Sequence, residues 1–252
     1  MKVVVCVKQI PDPATAYTLE EGTHWLTRPD DQILDDTDRY GVEMGLQLAQ
    51  ASEDMVTLVS MGPAGNAQGI RQALAMGADK AIIIEDGDLR GADALTTSRV
   101  LAAAIEREGF DLVIAGTEST DGYSGVIPQM LAEHLGTPAL TYAKHVDIGD
   151  GTVTINRQTN DGYDVVTADL PAVVSVTAGA VEPRYPTFKG IMDAKKKPVE
   201  HLTLTDLGVE TSADQKVVSI SDAPERAAGQ KVEDDGEAYQ AIVGLLEERK
   251  VI

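Results

Sequence analysis

Residues 111–138 read DLVIAGTESTDGYSGVIPQMLAEHLGTP. Asp111 to Ala115 is a short apolar run of strand type, with no polar residue on either face after Asp111. Ile127, Met130, Leu131, His134 and Leu135 follow the i, i+3, i+4, i+7, i+8 spacing of one helical face. Between the two lies a connection holding Gly116, Gly122 and Gly125 and several hydroxyls. A strand apolar on both faces and followed by a helix is the repeating unit of a parallel sheet covered on both sides.

The same unit recurs to either side. Lys2 to Gln9 (KVVVCVKQ), Met55 to Ser60 (MVTLVS) and Lys80 to Glu85 (KAIIIE) read as strands. Arg39 to Gln50, Ala64 to Met76 and Ala94 to Glu106 read as helices between them. The expected fold class is α/β, with a mostly parallel, doubly wound sheet and right-handed crossovers. From Gly151 the pattern changes. Gly151 to Asn156 and Tyr163 to Ala168 alternate as a β-hairpin extension about Asn160-Asp161-Gly162, and Pro171 to Thr177 returns to a buried strand. After Leu207 apolar density falls until a short helix over Glu237 to Arg249. The expected organisation is a nucleotide-binding domain over 1–205 and a C-terminal arm and helix over 206–252, too thin for a core of its own. That tail wraps its own domain or reaches a partner; fraying is the other alternative.

Composition narrows the function. With 252 residues and 43% hydrophobic content the chain can bury a substantial core. No apolar run approaches the roughly 20 residues that span a bilayer, so no membrane insertion is expected. Val3 to Val7 is too short for a signal-peptide core and no transit peptide is recognisable, so the expected location is the cytoplasm of a prokaryote. The net charge of −20 and 4% aromatic content argue against nucleic acid and favour partners with basic surfaces. The single cysteine, Cys6, excludes an internal disulfide and a cysteine zinc site; among valines it reads as a small core residue rather than a reactive thiol. The four histidines show no metal-ligand spacing, and no nucleophile–base arrangement stands out, so no catalytic residue and no metal are expected.

In parallel sheets ligands bind beyond the carboxyl ends of the strands. That rule selects the segment after Lys8, the acidic loop before Tyr40, the turn at Met61-Gly62, and the loop from Gly116. The last suits a phosphate, because glycine admits close backbone approach and the N–H groups of the following helix start favour an anion. Pro128 fits an early helix position. Glu118 and Asp121 would repel a phosphate, so they are expected to face a ribose hydroxyl or to cap the helix. A plain surface turn is the alternative. The acids Asp30, Asp31, Asp35, Asp36 and Asp38 lack EF-hand spacing and read better as a solvated loop or helix cap than as a cation site.

One segment contradicts the chain's charge. Residues 181–198, VEPRYPTFKGIMDAKKKP, set Arg184, Lys189, Lys195, Lys196 and Lys197 against only Glu182 and Asp193. Phe188 sits just after Pro183 and Pro186. A charged segment with a bulky apolar residue at a proline-stiffened bend is a poor core element and a suitable docking device. The lysine triplet reads as a solvated end or a protein contact; without an amphipathic stripe it is a weak membrane signal.

These residues together resemble the beta subunit of electron transfer flavoprotein. The likeness is carried by VEPRYPTFKGIMDAKKKPVE (181–200), VVVCVKQIPDP (3–13), the helix start around Asp35 to Glu43, VSMGPAGNAQGIRQALAMGADKAI (59–82), the 111–138 stretch and PERAAGQKVE (224–233). The resemblance implies an adenine-nucleotide alpha-hydrolase-like fold and a heterodimer with an alpha subunit that holds most of a flavin adenine dinucleotide (FAD). It implies an electron carrier rather than an enzyme, with AMP as a buried structural ligand. The AMP pocket would comprise Cys6, Asp35, Asp36, Thr37, Asp38, Met61, Thr117, Glu118, Ser119, Thr120, Asp121, Gly122, Tyr123, Ser124, Gly125, Val126, Ile127 and Pro128. The 181–198 segment would dock acyl-CoA or related dehydrogenases through Arg184, Tyr185, Phe188, Lys189, Ile191, Met192 and Lys195. Electrons would pass to the FAD and on to a quinone oxidoreductase and the respiratory chain. Two departures stand out. Asp35-Asp36-Thr37 replaces the family's usual Asn-Pro-aromatic, and Gly125 stands where Gln is common. Electron-bifurcating relatives place a second FAD in the pocket and oxidise NADH, and they too carry Asp-Gly at the positions of Asp121-Gly122.

Overall fold

The computed structural model describes residues 1–50, 54–62, 67–210, 215–225, 228, 229, 231–234 and 236–252. The chain divides into two units, Met1–Val217 and Val218–Ile252. In the first, the apolar runs form strands β1 (Lys2–Cys6), β4 (Met55–Gly62), β5 (Lys80–Glu85), β6 (Leu112–Gly116) and β10 (Ala172–Val176). The intervening periodic segments form helices α1 (Asp36–Gln50), α2 (Gln68–Met76), α3 (Ala94–Glu108) and α4 (Ile127–Leu135). The start of the helix expected from Ala64 lies partly outside the described residues.

Why these runs must be strands of a covered sheet is visible in their alternation. Val3, Val5, Val56, Leu58, Leu112 and Ile114 point into a core shared with α1 and α2. Val4, Cys6, Val59, Val113 and Ala115 point the other way, into a second core with α3 and α4. Successive side chains on a strand face opposite sides, so a strand packed on both faces is apolar throughout. Val4, Val5 and Ile114 are wholly buried, and each such side chain stabilises the fold by about 1.5–3 kcal/mol.

The main sheet runs in the order β11 (Val199–Leu202), β5, β4, β1, β6, β10, β7 (Ala139–Gly149), β8 (Thr152–Gln158), β9 (Tyr163–Asp169). Strand β1 pairs in parallel with β4 on one side and β6 on the other. The chain therefore builds outward from β1 through β4 to β5, then returns to the opposite side of β1 with β6. That reversal opens a crevice at the carboxyl ends of β1 and β6. The expected hairpin forms as β8 (Thr152–Gln158) and β9 (Tyr163–Asp169). A strand the sequence pattern did not suggest, β7 (Ala139–Gly149), joins it to the parallel sheet: its start lies parallel to β10 and its remainder antiparallel to β8.

Two further departures fall at residues 181–207. The cationic segment is not wholly a loop: α5 (Phe188–Ala194) is capped by the Thr187 hydroxyl, which accepts the Gly190 N–H at 3.0 Å. It is followed by β11 (Val199–Leu202), parallel to β5, and α6 (Leu204–Leu207), whose capping box is closed by Thr203 and Asp206. Two short strands, β2 (Gln9–Ile10) and β3 (Ile33–Leu34), pair antiparallel and bring together the ends of the excursion over 11–32. In the second unit α7 (Ala238–Glu248) has no buried residue, and Tyr239, Ile242 and Leu245 are exposed. No described helix is long and apolar enough to cross a membrane.

Candidate functional site

The crevice between β1 and β6 gathers three of the four strand-end segments the topology selected: the residues after β1, the start of α1, and the loop joining β6 to α4. Its floor is a pair of buried carboxylates. Asp35 is completely buried and binds in two directions. Its Oδ2 accepts from the Thr120 N–H at 2.7 Å and the Thr120 hydroxyl at 3.1 Å, while Oδ1 accepts from the Thr37 N–H and hydroxyl. The Thr37 hydroxyl also reaches the Glu118 carbonyl at 3.0 Å. Asp35 thus ties the helix start to the 117–128 loop.

Asp38 accepts the Lys8 N–H at 2.6 Å. Burial, and then the Asp35 charge, push its carboxyl well above the usual range against the opposing Lys8 hydrogen bond. Gly116 is glycine for a reason set here: a Cβ would come within 2.9 Å of Asp38 Oδ1. Cys6 ends β1 beneath these groups, and burial followed by the nearby Asp38 charge pushes its thiol up to about 12. It is a core residue, unreactive at neutral pH.

Asp121 departs most from the sequence expectation. Glu118 and Asp121 do not cap α4; its N-cap is Val126, with no side-chain hydrogen bond. Asp121 Oδ1 instead meets Lys8 Nζ at 2.6 Å and Oδ2 meets Arg28 Nη2 at 2.5 Å. Burial would raise its carboxyl, but the two cations reverse this and hold it below the usual range. Lys8 Nζ also lies 3.3 Å from the Ser119 hydroxyl, and Arg28 is steadied by Gln32 at 3.2 Å. A phosphate approaching the loop would therefore meet a neutralised carboxylate. Lys8 and Arg28 are the residues that sequence reasoning missed. Lys8 carried a signal, as a lone cation at the end of a buried strand; Arg28, within the aperiodic excursion, carried none.

The remaining loop residues divide by exposure. The Thr117 hydroxyl donates to the Val176 carbonyl at 3.3 Å. The Ser119 carbonyl accepts the Tyr123 N–H at 2.9 Å and the Gly122 N–H at 3.4 Å, which closes the turn. Tyr123, Ser124 and Val126 are exposed, and Pro128 is buried in the first turn of α4. Among the described residues, no protein acceptor is recorded for the N–H groups of Ser124, Gly125, Val126 or Ile127. Met61, next to the last residue of β4, is half-buried against the second core, and Asp36 is turned outward toward Arg39. Among the described residues no cluster of His, Cys, Asp or Glu is arranged to hold a metal ion.

The segment expected to dock partners presents a different surface. Tyr185 and Phe188 are 82% and 83% exposed, and Ile191 and Met192 stand out beside them. Lys189 and Lys195 are exposed at the edge of this patch. Arg184, though partly exposed, is engaged: its guanidinium lies against the buried Glu43 of α1.

A shallow depression at the opposite, amino ends of the strands is lined by Met1, Asp54, Asp111 and Pro171, among others. Its acids are already engaged, Asp54 by the Met1 amino group and Asp111 by the Lys2 N–H.

The chain is similar to known proteins over its whole length. The electron transfer flavoprotein domain family matches residues 23–207. A Mycobacterium tuberculosis protein called electron transfer flavoprotein subunit beta is 42% identical, covering 99% of this chain and 99% of its own length. The Megasphaera elsdenii protein of the same name is 34% identical over 100% of this chain and 98% of its own. Subunit CarD of the caffeyl-CoA reductase-Etf complex of Acetobacterium woodii is 30% identical over the full length of both.

Proposed function

The chain belongs to the electron transfer flavoprotein family as a beta subunit, and from that premise we propose that it forms a heterodimer with an alpha subunit, holds AMP in the β1–β6 crevice, and docks acyl-CoA or related dehydrogenases. The FAD of the complex, held mainly by the alpha subunit, supplies the electron-accepting and electron-donating chemistry. Electrons then leave toward a quinone oxidoreductase. The members of this family are electron carriers, and no residue of this chain needs to make or break a bond.

The observation that carries the nucleotide reading is the closure of the crevice around a neutralised acid. Asp121 is compensated by Lys8 and Arg28, and the loop beyond it leaves the N–H groups of 124–127 free for an anion. These N–H groups would hold the phosphate. Asp35 would fix the loop's shape through Thr120, Asp38 and Cys6 would form the wall, and Met61, from the fourth segment at the end of β4, would extend it. The exposed patch at Tyr185, Phe188, Ile191 and Met192 supports docking, since a central apolar anchor rimmed by polar residues is the usual build of an interface hot spot. The exposed apolar residues of α7 support a C-terminal arm that lies on the alpha subunit.

The test is to co-express the chain with its alpha-type subunit, purify, denature and identify the released nucleotides. One FAD and one AMP per heterodimer is the expected result. Two FAD together with NADH oxidation would replace AMP with the electron-bifurcating reading. A complex releasing no nucleotide beyond the alpha-subunit FAD would refute the crevice as a binding site.

A further inference from the structure

The 181–198 segment is exposed above and fastened below. Arg184 lays its guanidinium on Glu43, with Nε to Oε2 at 2.7 Å and Nη2 to Oε1 at 2.9 Å, and its own N–H donates to Oε2 at 3.1 Å. Gln47 Nε2 supplies a further bond to Glu43 at 2.8 Å. Arg71 of α2 donates through Nη1 to the carbonyls of Ala194 at 2.7 Å and Lys197 at 3.2 Å, groups left open where α5 ends. Lys197 Nζ donates to the Leu74 carbonyl at 3.0 Å. Gly190 brings the α5 backbone directly onto α2: a Cβ there would stand 2.5 Å from the Ala75 carbonyl oxygen.

Two of the five cations of this segment are therefore committed inward. The Glu43 side chain is only 4% exposed. Burial would raise its carboxyl, yet the Arg184 hydrogen bonds hold it below the usual range, so it stays ionised and depends on its partner. Were Arg184 to swing out to a partner protein, a buried carboxylate would be left uncompensated, which is strongly unfavourable.

We propose that Arg184 and Glu43 are positioning residues for docking: the pair fixes the entry of the 181–198 segment on α1, so that Tyr185 and Phe188 are held in place before a partner arrives, and Arg184 itself does not bind the partner. The inference rests on the docking function proposed above for Phe188. Its physical basis is preorganisation, because a segment already ordered loses less conformational freedom on association. Glu43 supplies the discriminating probe. It is buried beneath the segment and cannot touch a dehydrogenase, so any effect it has on docking must travel through Arg184.

The experiment uses the flavin-loaded heterodimer and its reduction by an acyl-CoA dehydrogenase, with KM for the heterodimer and kcat measured separately. F188A raises KM. E43Q and R184M each raise it as well, by roughly fivefold, with flavin content and kcat at saturation unchanged. R184K, which keeps the charge but not the two-pronged geometry, falls between them and the wild type. In the F188A background E43Q adds less than about twofold, because contacts that act as a unit are not additive. An R184K protein indistinguishable from wild type, an E43Q protein with normal KM, or fully additive effects of E43Q and F188A would overturn the positioning role while leaving docking intact. If F188A alone leaves KM unchanged, docking by this segment fails and the positioning role fails with it.

Discussion

The cleanest perturbation of the crevice is Asp121→Asn, which keeps the side chain's shape and removes its charge. The Asp121 side chain has no exposure and receives Lys8 at 2.6 Å and Arg28 at 2.5 Å. Each hydrogen bond to a charged group contributes about 1.5–3 kcal/mol. Lys8 and Arg28 are 36% and 26% exposed, so water recovers part of their solvation once the carboxylate is gone. The asparagine oxygen also retains one ordinary hydrogen bond. About half the gross loss remains, roughly 1.5–3 kcal/mol. For a domain of this size that lowers the thermal midpoint by roughly 3–12 °C. The assay is thermal unfolding of the nucleotide-free full chain, wild type against variant, from pH 7 downward. The Asp121 carboxyl is depressed in the folded chain, so its contribution is complete above the unfolded value near 3.9 and fades as pH falls through the lower folded value. The difference between the proteins is flat from about pH 7 to 5 and narrows below about pH 4. A midpoint shift under about 2 °C at pH 7 would refute the account, as would a difference that widens on acidification.

The neighbouring Asp38→Asn acts in the opposite sense. Its carboxyl is raised by burial and by Asp35, so its stabilising contribution is complete below the unfolded value and lost as pH rises through the folded one. The variant, which keeps an oxygen for the Lys8 N–H, melts higher than wild type at pH 8 and equally near pH 4; a lower midpoint at pH 8 would show that the ionised form is needed for the fold. At the surface, Arg107 and Glu200 pair at 2.7 Å, each 45% exposed. Arg107→Ala changes stability by less than about 0.5 kcal/mol in denaturant titration, and a loss above about 1 kcal/mol would mean that such pairs hold β11 in place.

What the sequence revealed depended on the range of the interactions involved. The alternation of Val3, Val5 and Ile114 with Val4, Cys6 and Val113 follows from local chemistry, because each residue's face is set by its position in a strand. The strand ends that line the crevice followed from topology alone. Strand β7 escaped because Lys144, His145 and Asp147 interrupt its apolar run where it leaves the covered part of the sheet. Helix α5 escaped because Pro183, Pro186 and Gly190 read as loop, while the decisive residue is the capping Thr187. The ion pairs were beyond local reading altogether: Asp121 lies 113 residues from Lys8 and 93 from Arg28, and Arg184 lies 141 from Glu43. A buried acid and its cation leave no periodicity to find.

Those long-range pairs change what the chain's charge means. With a net charge of −20, cations are scarce, and several are spent on buried or half-buried acids and carbonyls: Lys8 and Arg28 on Asp121, Lys80 on Glu108, Arg184 on Glu43, and Arg71 and Lys197 on backbone. In the 181–198 segment Lys189, Lys195 and Lys196 are exposed and outside these pairs, opposed by the exposed Glu182 and the half-buried Asp193. A few exposed charges separated by water are screened within about 8 Å at physiological ionic strength. They are poorly suited to hold a partner, whereas Phe188 and Tyr185 offer apolar surface that needs no ionic strength to work. The two attractions then divide between different parts of the molecule. On the docking proposed above, the acidic body would steer a basic partner inward from a distance, and the apolar surface of Tyr185 and Phe188, fastened from beneath by Glu43, would hold it on arrival.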